Sequence, residues 1–297
     1  MSAVVATPSL KHRMADRGVD SSLLLLLPAA VFVLMMFIYP FVYGIGLSFQ
    51  PRGGGVGFGS YVKFFSEPYQ VGTIWKTMRL ALPAALFNVL ASIPISYKLR
   101  GRFRGKRLLS TMLVIPISLG TVLVAEGLLN FAGRAGWINR FLLAIHVVDR
   151  PVALVNNYWG VLFSLIITGF PFAFLLVSSY LSGIDPSLEN AAAIMGAGWG
   201  KRFTKIILPL LAPGLATTFM LTFVLAFSVF PSATLVGDPA GATRVISLAA
   251  YQAYAESFDY SLASAIAIIM GLIELVVIGL VMVWRSTLYR GSTGGKG

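Results

Sequence analysis

Cysteine is absent from this chain of 297 residues, and only 11% of its residues are charged. Without cysteine there is no disulfide framework, no thiolate nucleophile and no Cys-ligated metal. The two histidines, His12 and His146, lie far apart in the sequence, so a His-based metal site would be hard to assemble. We therefore expect this chain to bind no cofactor of its own.

Most of the residues in this chain are apolar. They make up 57% of the chain, and the mean hydropathy is +0.82. An ordinary soluble domain carries about 25% charged residues. The deficit of charge indicates that lipid is the solvent for most of this chain.

Six apolar stretches are long enough to cross a membrane as helices, which takes about 20 residues each. They cover about 23–49, 74–97, 108–131, 157–181, 210–230 and 261–284. The first is longer than the apolar part of a signal peptide and has no evident cleavage site, so we expect it to be retained. The pattern predicts an all-α, polytopic membrane protein with six transmembrane helices.

The basic residues predict the orientation of these spans. With six spans, 15 of the 23 Lys and Arg residues share the side that holds both termini. The densest run is "KLRGRFRGKR" between the second and third spans. The positive-inside rule places this side, and both termini, in the cytoplasm. The net charge of +12 then reflects topology and contact with anionic lipid, and we expect no nucleic-acid partner.

One segment between the fourth and fifth spans differs from its surroundings: "ENAAAIMGAGWGKRFTKIILP", Glu189 to Pro209. Asp185 and Pro186 form a good helix start, and Glu189 lies in the first turn, where the helix dipole favours an anion. Gly196 and Gly198 are expected to end this helix. A second short helix is predicted over 199–207, with Pro209 resetting the chain into the fifth span.

This segment could be an amphipathic helix that rests on lipid, or a docking element for a cytoplasmic partner. The first helix is poor in Lys, Arg and large apolar residues, which favours docking. Its small side chains allow another backbone to approach closely.

The same segment resembles the cytoplasmic loop of binding-protein-dependent ABC importer permeases, whose pattern reads E-A-A, three residues, G-A, and about ten residues to I-x-L-P. Asn190, Ala191 and Ala192 stand at the E-A-A position, and Gly196 and Ala197 follow at the right spacing. The run 206–209 closes the pattern, with Trp199 and Phe203 as intervening aromatics. The departure is Asn190, where the family usually has Glu; Glu189 carries a charge one residue earlier, about 100° away on a helix.

The resemblance implies a coupling helix that docks on a separate ATP-hydrolysing subunit. The residues expected to couple are Glu189, Asn190, Ala191, Ala192, Gly196, Ala197, Trp199, Phe203 and Pro209. No G-x-x-x-x-G-K-[ST] phosphate loop is present, so ATP and Mg are expected on the partner. The implied assembly has a second permease subunit, two ATP-binding cassette subunits and a periplasmic or lipid-anchored solute-binding protein, in the bacterial inner membrane.

The resemblance also implies a division of the chain. Residues 1–70 would hold the N-terminal tail, the first span and a periplasmic loop. Residues 71–285 would form the core transmembrane domain, and 286–297 a cytoplasmic tail.

Polar residues within the spans are candidates for the substrate path, because charge is costly in lipid. They are Asn88, Glu126, Asn130 and Glu274. Glu126 could instead sit at the external interface if the third span ends early. Glu274 could instead pair with another helix or with the second permease.

The segment after the fifth span resembles permeases of the spermidine/putrescine branch through Phe230, Leu235 and Gly237. The proline is displaced to Pro231, and Val229 stands where that branch often has an acid. The missing acid argues against a polycation. Because the same branch is similar to importers of iron, thiamine, phosphonates and opine-like compounds, a polyamine-like solute and each of these stay open.

Two other function classes fit less well. A secondary transporter driven by an ion gradient would be expected to have inverted repeats and more titratable groups in its spans. An intramembrane enzyme would need a Ser/His, Asp/Asp or metal-ligand constellation, which the sequence does not offer.

Overall fold

The computed structural model describes residues 26–101 and 104–289, with side chains up to residue 286. The predicted start of the first span at Leu23, the cation Arg102 and the N-terminal tail lie outside the described residues, as does the tail from residue 290 onward.

Most of the described backbone is helical, and the described residues contain no β-strand. Six helices in this part of the chain are long and apolar enough to cross a membrane, so the predicted all-α fold with six spans is confirmed. In chain order the helices are α1 Leu27–Ser48, α2 Gly59–Ser66, α3 Pro68–Arg100, α4 Lys106–Ala132, α5 Trp137–Ala144, α6 Tyr158–Ser182, α7 Pro186–Ile194, α8 Trp199–Phe227, α9 Pro231–Leu235, α10 Ile246–Tyr251 and α11 Tyr260–Tyr289. The spans are α1, α3, α4, α6, α8 and α11.

The fifth span differs from its prediction at both ends. It is continuous with the short helix that begins at Trp199, so the prediction that Pro209 separates two helices was wrong. A π turn at Phe203–Ile207 precedes the proline, and Leu208 N donates to Phe203 O across it. Pro209 then stands in the first turn of the following α-helical segment. The helix ends at Phe227, three residues before the predicted end at Phe230.

The core lies between α3, α6 and α8, which pack against one another. One apolar cluster includes the fully buried Leu80, Val161, Phe223 and Phe227 and extends to α10 and α11. A second cluster of buried side chains lies at the α7 end of the bundle: Ile93, Val177, Leu181, Ile184, Ile207 and Leu211. It fixes the ends of α3 and α6 and the start of the fifth span, and so positions α7.

Helix α1 packs against α11 and contributes little to the core. Ser48, at its last turn, is its only buried residue. Apolar side chains along the helix, such as Met35, Phe37 and Tyr39, are more than half exposed in this chain. The surroundings of α1 are therefore supplied by lipid or another chain.

The end of the bundle opposite α7 is closed by the loop between α9 and α10. Arg244 is 3% exposed and donates to Gln252 Oε1 at 3.0 Å, to Tyr69 O at 3.3 Å and to Gln70 Oε1 at 3.4 Å. Its guanidinium also lies 4.0 Å from the ring centroid of Tyr69. Burial lowers the pKa of Arg244, and it forms no salt bridge to a carboxylate among the described residues. This arginine ties the loop to the first turn of α3.

A second tie at that end joins α2 to the start of α11. Lys63 Nζ lies 2.9 Å from Asp259 Oδ2, and the Asp259 side chain is 6% exposed. Asp259 also accepts a hydrogen bond from Leu262 N at 3.0 Å, which caps α11. Burial disfavours the carboxylate, but the bonds from Lys63 and Leu262 outweigh burial and lower the pKa of Asp259.

Candidate coupling surface and membrane cavity

Helix α7 begins as its sequence predicts. Asp185 Oδ1 accepts from Ser187 N at 2.8 Å, and Pro186 occupies the first helical position. The hydrogen bond from the Ser187 backbone lowers the pKa of the Asp185 carboxyl. The predicted N-terminal cap is therefore confirmed.

A glycine turn ends α7, also as predicted. Gly196 has φ +84°, a left-handed conformation that favours glycine, and Ala197 N donates back to Ala192 O at 2.9 Å. Gly198 is extended and begins α8. The two helices therefore meet at a sharp bend outside the membrane bundle.

Large apolar side chains are exposed at the tip of this bend. Ile194 is 88% exposed and Met195 is 80% exposed, with Trp199 beside them at 60%. Among the predicted coupling residues, Asn190, Ala191, Gly196, Trp199 and Pro209 are exposed, Glu189, Ala197 and Phe203 are half-buried, and Ala192 is buried. We call the outward residues Asn190, Ile194, Met195 and Trp199 the tip surface. The sequence prediction passed over Ile194 and Met195, although two large apolar residues directly before a glycine turn are a usable signal.

Glu189 faces α3, unlike the exposed side chains of the tip surface. Its Oε1 accepts from Arg100 Nη1 at 2.6 Å, and its Oε2 accepts from the Tyr97 hydroxyl at 2.6 Å. The Glu189 and Arg100 side chains are only 14% and 17% exposed. Arg100 also donates to the carbonyl of Ile184, just before α7. Arg100 and Tyr97, at the end of α3, were not foreseen as partners because nothing in the sequence places the end of α3 beside α7.

Tyr97 also joins α3 to α8 through its ring. The ring centroid lies 5.3 Å from that of Phe203 and 6.2 Å from that of Trp199, both edge-to-face. Tyr97 therefore contacts α7 through its hydroxyl and α8 through its ring.

A cavity of about 220 Å³ lies within the bundle, between α3, α4, α6 and α8. Its lining comprises Asn88, Pro116, Ile117, Gly120, Thr121, Leu165, Thr168, Gly169, Phe172, Thr222, Leu225, Ala226 and Val229. Helix α4 bends around it: Gly120 has φ 71° and ψ 169°, which no helix contains, one turn after Pro116. We call this space the membrane cavity.

Asn88 is the most constrained polar group on the cavity. It is 1% exposed, and its Nδ2 donates to Leu165 O at 3.3 Å, while Oδ1 has no hydrogen-bond partner. The hydroxyls of Thr168 and Thr222 donate to the carbonyls of Ser164 and Thr218 in their own helices, so their oxygens are left to accept. The cavity lining carries no charged side chain.

The other predicted path residues are not among those that line the membrane cavity. Glu126 is half-buried on α4, and Asn130 donates to its backbone carbonyl at 3.0 Å. Glu274 on α11 accepts from Ser228 Oγ, at the end of α8, at 2.9 Å. The structure therefore does not bring the four predicted path residues into one site.

Comparison with known proteins decides the family. Residues 88–286 match the family described as binding-protein-dependent transport system inner membrane component. The chain belongs to this family. It is a membrane-spanning permease component of an ABC importer, as its cytoplasmic-loop pattern implied.

Individual relatives carry different solutes. The chain is 30% identical over 217 residues to a probable sulfate transport system permease of Prototheca wickerhamii, which covers 72% of this chain and 83% of the relative. It is 25% identical over 220 residues to the spermidine/putrescine permease PotB of Haemophilus influenzae, covering 70% and 76%. The polyamine branch is thus no closer to this permease than the sulfate branch.

A solved structure shares the fold. A chain from the crystal structure of a bacterial alginate ABC transporter, in complex with an alginate pentasaccharide-bound periplasmic protein, superposes with a TM-score of 0.78. The alignment covers 96% of this chain and 99% of that one, at 22% identity.

Proposed function

We propose that this permease is one half of a membrane path that imports a small polar solute rich in hydrogen-bond donors, of which a polyamine is the leading candidate. ATP would be hydrolysed with Mg on separate subunits docked on the tip surface. A solute-binding protein would deliver the solute from the opposite side.

The tip surface supports the docking part of this proposal. Ile194 and Met195 are largely exposed, and they lie outside the six helices that are long and apolar enough to span a membrane. Exposed large apolar groups on a rigid bend are typical of protein–protein contact sites. Asn190, beside them, offers a neutral hydrogen bond in place of the acid usual in this family.

The membrane cavity supports the solute class. The acceptor oxygens of Thr168 and Thr222 suit a ligand that presents N–H or O–H groups, and beside them the buried Oδ1 of Asn88 has no hydrogen-bond partner among the described residues. A sulfate ion presents only acceptors, and the described residues of the cavity lining include no cation. Burying an ion of either sign without a counter-charge is strongly disfavoured, so the charge of a polyamine would depend on carboxylates elsewhere on the path. The carboxylates Glu126 and Glu274, which we propose as further points on the path, also suit a cation.

The orientation and assembly belong to the same proposal. Both termini and α7 would lie in the cytoplasm, with the tail, core and C-terminal divisions at residues 70 and 285. A second permease would complete the path, and α1, which has almost no contact with its own core, is a candidate for that interface.

Uptake in cells that lack the chain would test the solute class. Three labelled probes should be compared: spermidine, trehalose and sulfate. We expect deletion to reduce spermidine uptake at least ten-fold and to leave sulfate uptake unchanged. Loss of sulfate uptake alone would contradict the proposal, and loss of trehalose uptake alone would retain a donor-rich solute but exclude a polyamine.

A pair of variants would link the solute to the cavity. Asn88→Leu removes the free acceptor, and Thr111→Leu is the matched control on an exposed position outside the cavity lining. Spermidine uptake should fall several-fold in the first and stay within two-fold in the second. Equal effects would argue against the cavity as part of the path.

A further inference from the structure

We infer that Glu189, Arg100 and Tyr97 form an internal tie that transmits displacement of α7 to the membrane helix α3, so that Glu189 acts within the permease rather than on the ATPase. The inference rests on the proposed docking of an ATPase at the tip surface, and it assigns positioning roles to Arg100 and Tyr97.

The first step is the geometry of the carboxylate. Each oxygen of Glu189 accepts one bond of 2.6 Å, from Arg100 and from Tyr97. Both donors belong to the last turns of α3. Both carboxylate oxygens are therefore engaged inside the permease by charge-assisted or short hydrogen bonds, and the side chain is only 14% exposed to an outside partner.

The second step is that few other contacts join α7 to α3. Ala192 is the one residue of this helix that is buried. An open cleft of about 830 Å³, bordered by Pro94, Tyr97, Asn190 and Trp199, separates parts of α7 and α8 from α3. Apolar packing between α7 and α3 is therefore sparse. The hydrogen bonds of Glu189, with that from Arg100 to the Ile184 carbonyl, are the main polar link between them.

The third step is that α3 connects Arg100 to the membrane cavity. Asn88 lies on the same helix, about 18 Å from Arg100 at 1.5 Å per residue. Asn88 borders the membrane cavity and bonds α6 through Leu165 O. A push on the tip surface would thus reach the cavity wall through the tie and then through α3, a continuous physical connection between the two sites.

The assignment also accounts for the neighbouring asparagine. Glu189 and Asn190 are about 100° apart on the helix, so one faces α3 and the other faces outward. The carboxylate of Glu189 is bonded inside the permease, and Asn190 at the outward position carries no charge.

Charge reversal tests the tie in the full complex of permease, ATPase and binding protein, reconstituted in lipid nanodiscs and proteoliposomes. We expect Arg100→Glu and Glu189→Arg each to keep the ATPase bound on affinity purification. Each should reduce the uptake of labelled spermidine at least ten-fold. The ratio of ATP hydrolysis stimulated by the binding protein to basal ATP hydrolysis should fall towards one. The double variant should recover at least a third of uptake. Lys98→Glu, at an exposed position two residues before Arg100, is the matched control and should stay within two-fold.

Two results would overturn the tie. One is near-normal uptake in both single variants. The other is loss of the ATPase from the Glu189 variant without rescue in the double variant, which would mean that Glu189 touches the ATPase itself. If the wild-type permease retains its ATPase and all variants transport normally, the tie is contradicted but the proposed function is not. If the wild-type permease retains no ATPase, the proposed function is contradicted as well.

A milder pair keeps the test usable if charge reversal prevents folding. Glu189→Gln and Tyr97→Phe preserve size while weakening the bonds. A spin label on Asn190→Cys in the otherwise cysteine-free chain reports the motion of α7 in the permease alone. We expect Glu189→Gln to increase the label's mobility, and unchanged mobility would show that the tie does not hold α7.

Discussion

A Cβ atom added at Gly169 would lie 2.4 Å from Asn88 Nδ2, so the bare glycine on α6 is what allows Asn88 to reach the carbonyl of Leu165. No real Cβ contact is that short, and the amide would have to move. Because Asn88 is buried and its oxygen already lacks a partner, its displacement would leave more polar groups unsatisfied.

Gly169→Ala should therefore lower the thermal stability of the detergent-solubilised permease, by about 1–3 kcal/mol. Gly279→Ala is the control, because a Cβ there would meet nothing within 4 Å. The two variants can be compared by thermal unfolding followed by intrinsic fluorescence. An equal melting temperature for both would show that the helices part easily at Gly169.

We expect a second effect on stability at Arg244, which lies at the end of the bundle opposite α7. Arg244→Met removes donors from the side-chain oxygens of Gln252 and Gln70 and from the Tyr69 carbonyl. Leaving buried acceptors unsatisfied costs about 1–3 kcal/mol each, less where water can reach them. We expect a lower melting temperature and faster proteolysis of the loop around Gly241. Arg244→Lys should not rescue the loss, because one ammonium group cannot span three acceptors.

The Lys63–Asp259 pair predicts a dependence on acid. The pKa of Asp259 is lowered in the folded state, so its contribution to stability is complete above its unfolded value of about 3.8. That contribution is lost as the pH falls through the lower, folded pKa. Since Lys63 is half exposed, we expect a contribution of only about 1 kcal/mol.

Asp259→Asn isolates the charge, because the amide oxygen can still accept from Leu262 N. The variant should be less stable than the wild type at pH 7, and the gap should close below about pH 4. Thermal unfolding at a series of pH values measures the gap. A gap that widens in acid would contradict the lowered pKa.

Single cysteines offer a direct map of the tip surface, since the chain has none of its own. In inside-out vesicles of the permease alone, Asn190→Cys and Ile194→Cys should react with an impermeant maleimide, and the buried Ala192→Cys should not. Assembly with the ATPase should slow the reaction at Ile194 at least ten-fold. Ser182→Cys, exposed but off the tip, should be unaffected. Labelling from the opposite side of the membrane instead would reverse the proposed orientation.

The spans and the bend around α7 could be predicted because each rests on local chemistry. Apolar length defines the spans, and the Asp185 cap and the Gly196 turn define α7. Pro209 misled the prediction, because a proline taken alone signals a helix boundary. The π turn before it, whose last residue Ile207 is buried in the second apolar cluster, has no local sequence signal. The partners of Glu189 were missed for a related reason. Arg100 and Glu189 are 89 residues apart, and only the folded bundle brings them together.

The first span has a thermodynamic consequence of its own. Ser48 is the only buried residue of α1, and the main packing of this helix within its own subunit is against α11, so lipid and any partner chain supply the rest of its surroundings. If a partner chain covers α1, the free energy of unfolding would depend on the concentration of that partner, as it does for obligate oligomers. A melting temperature measured on the single chain in detergent would then leave out the stability that this contact supplies.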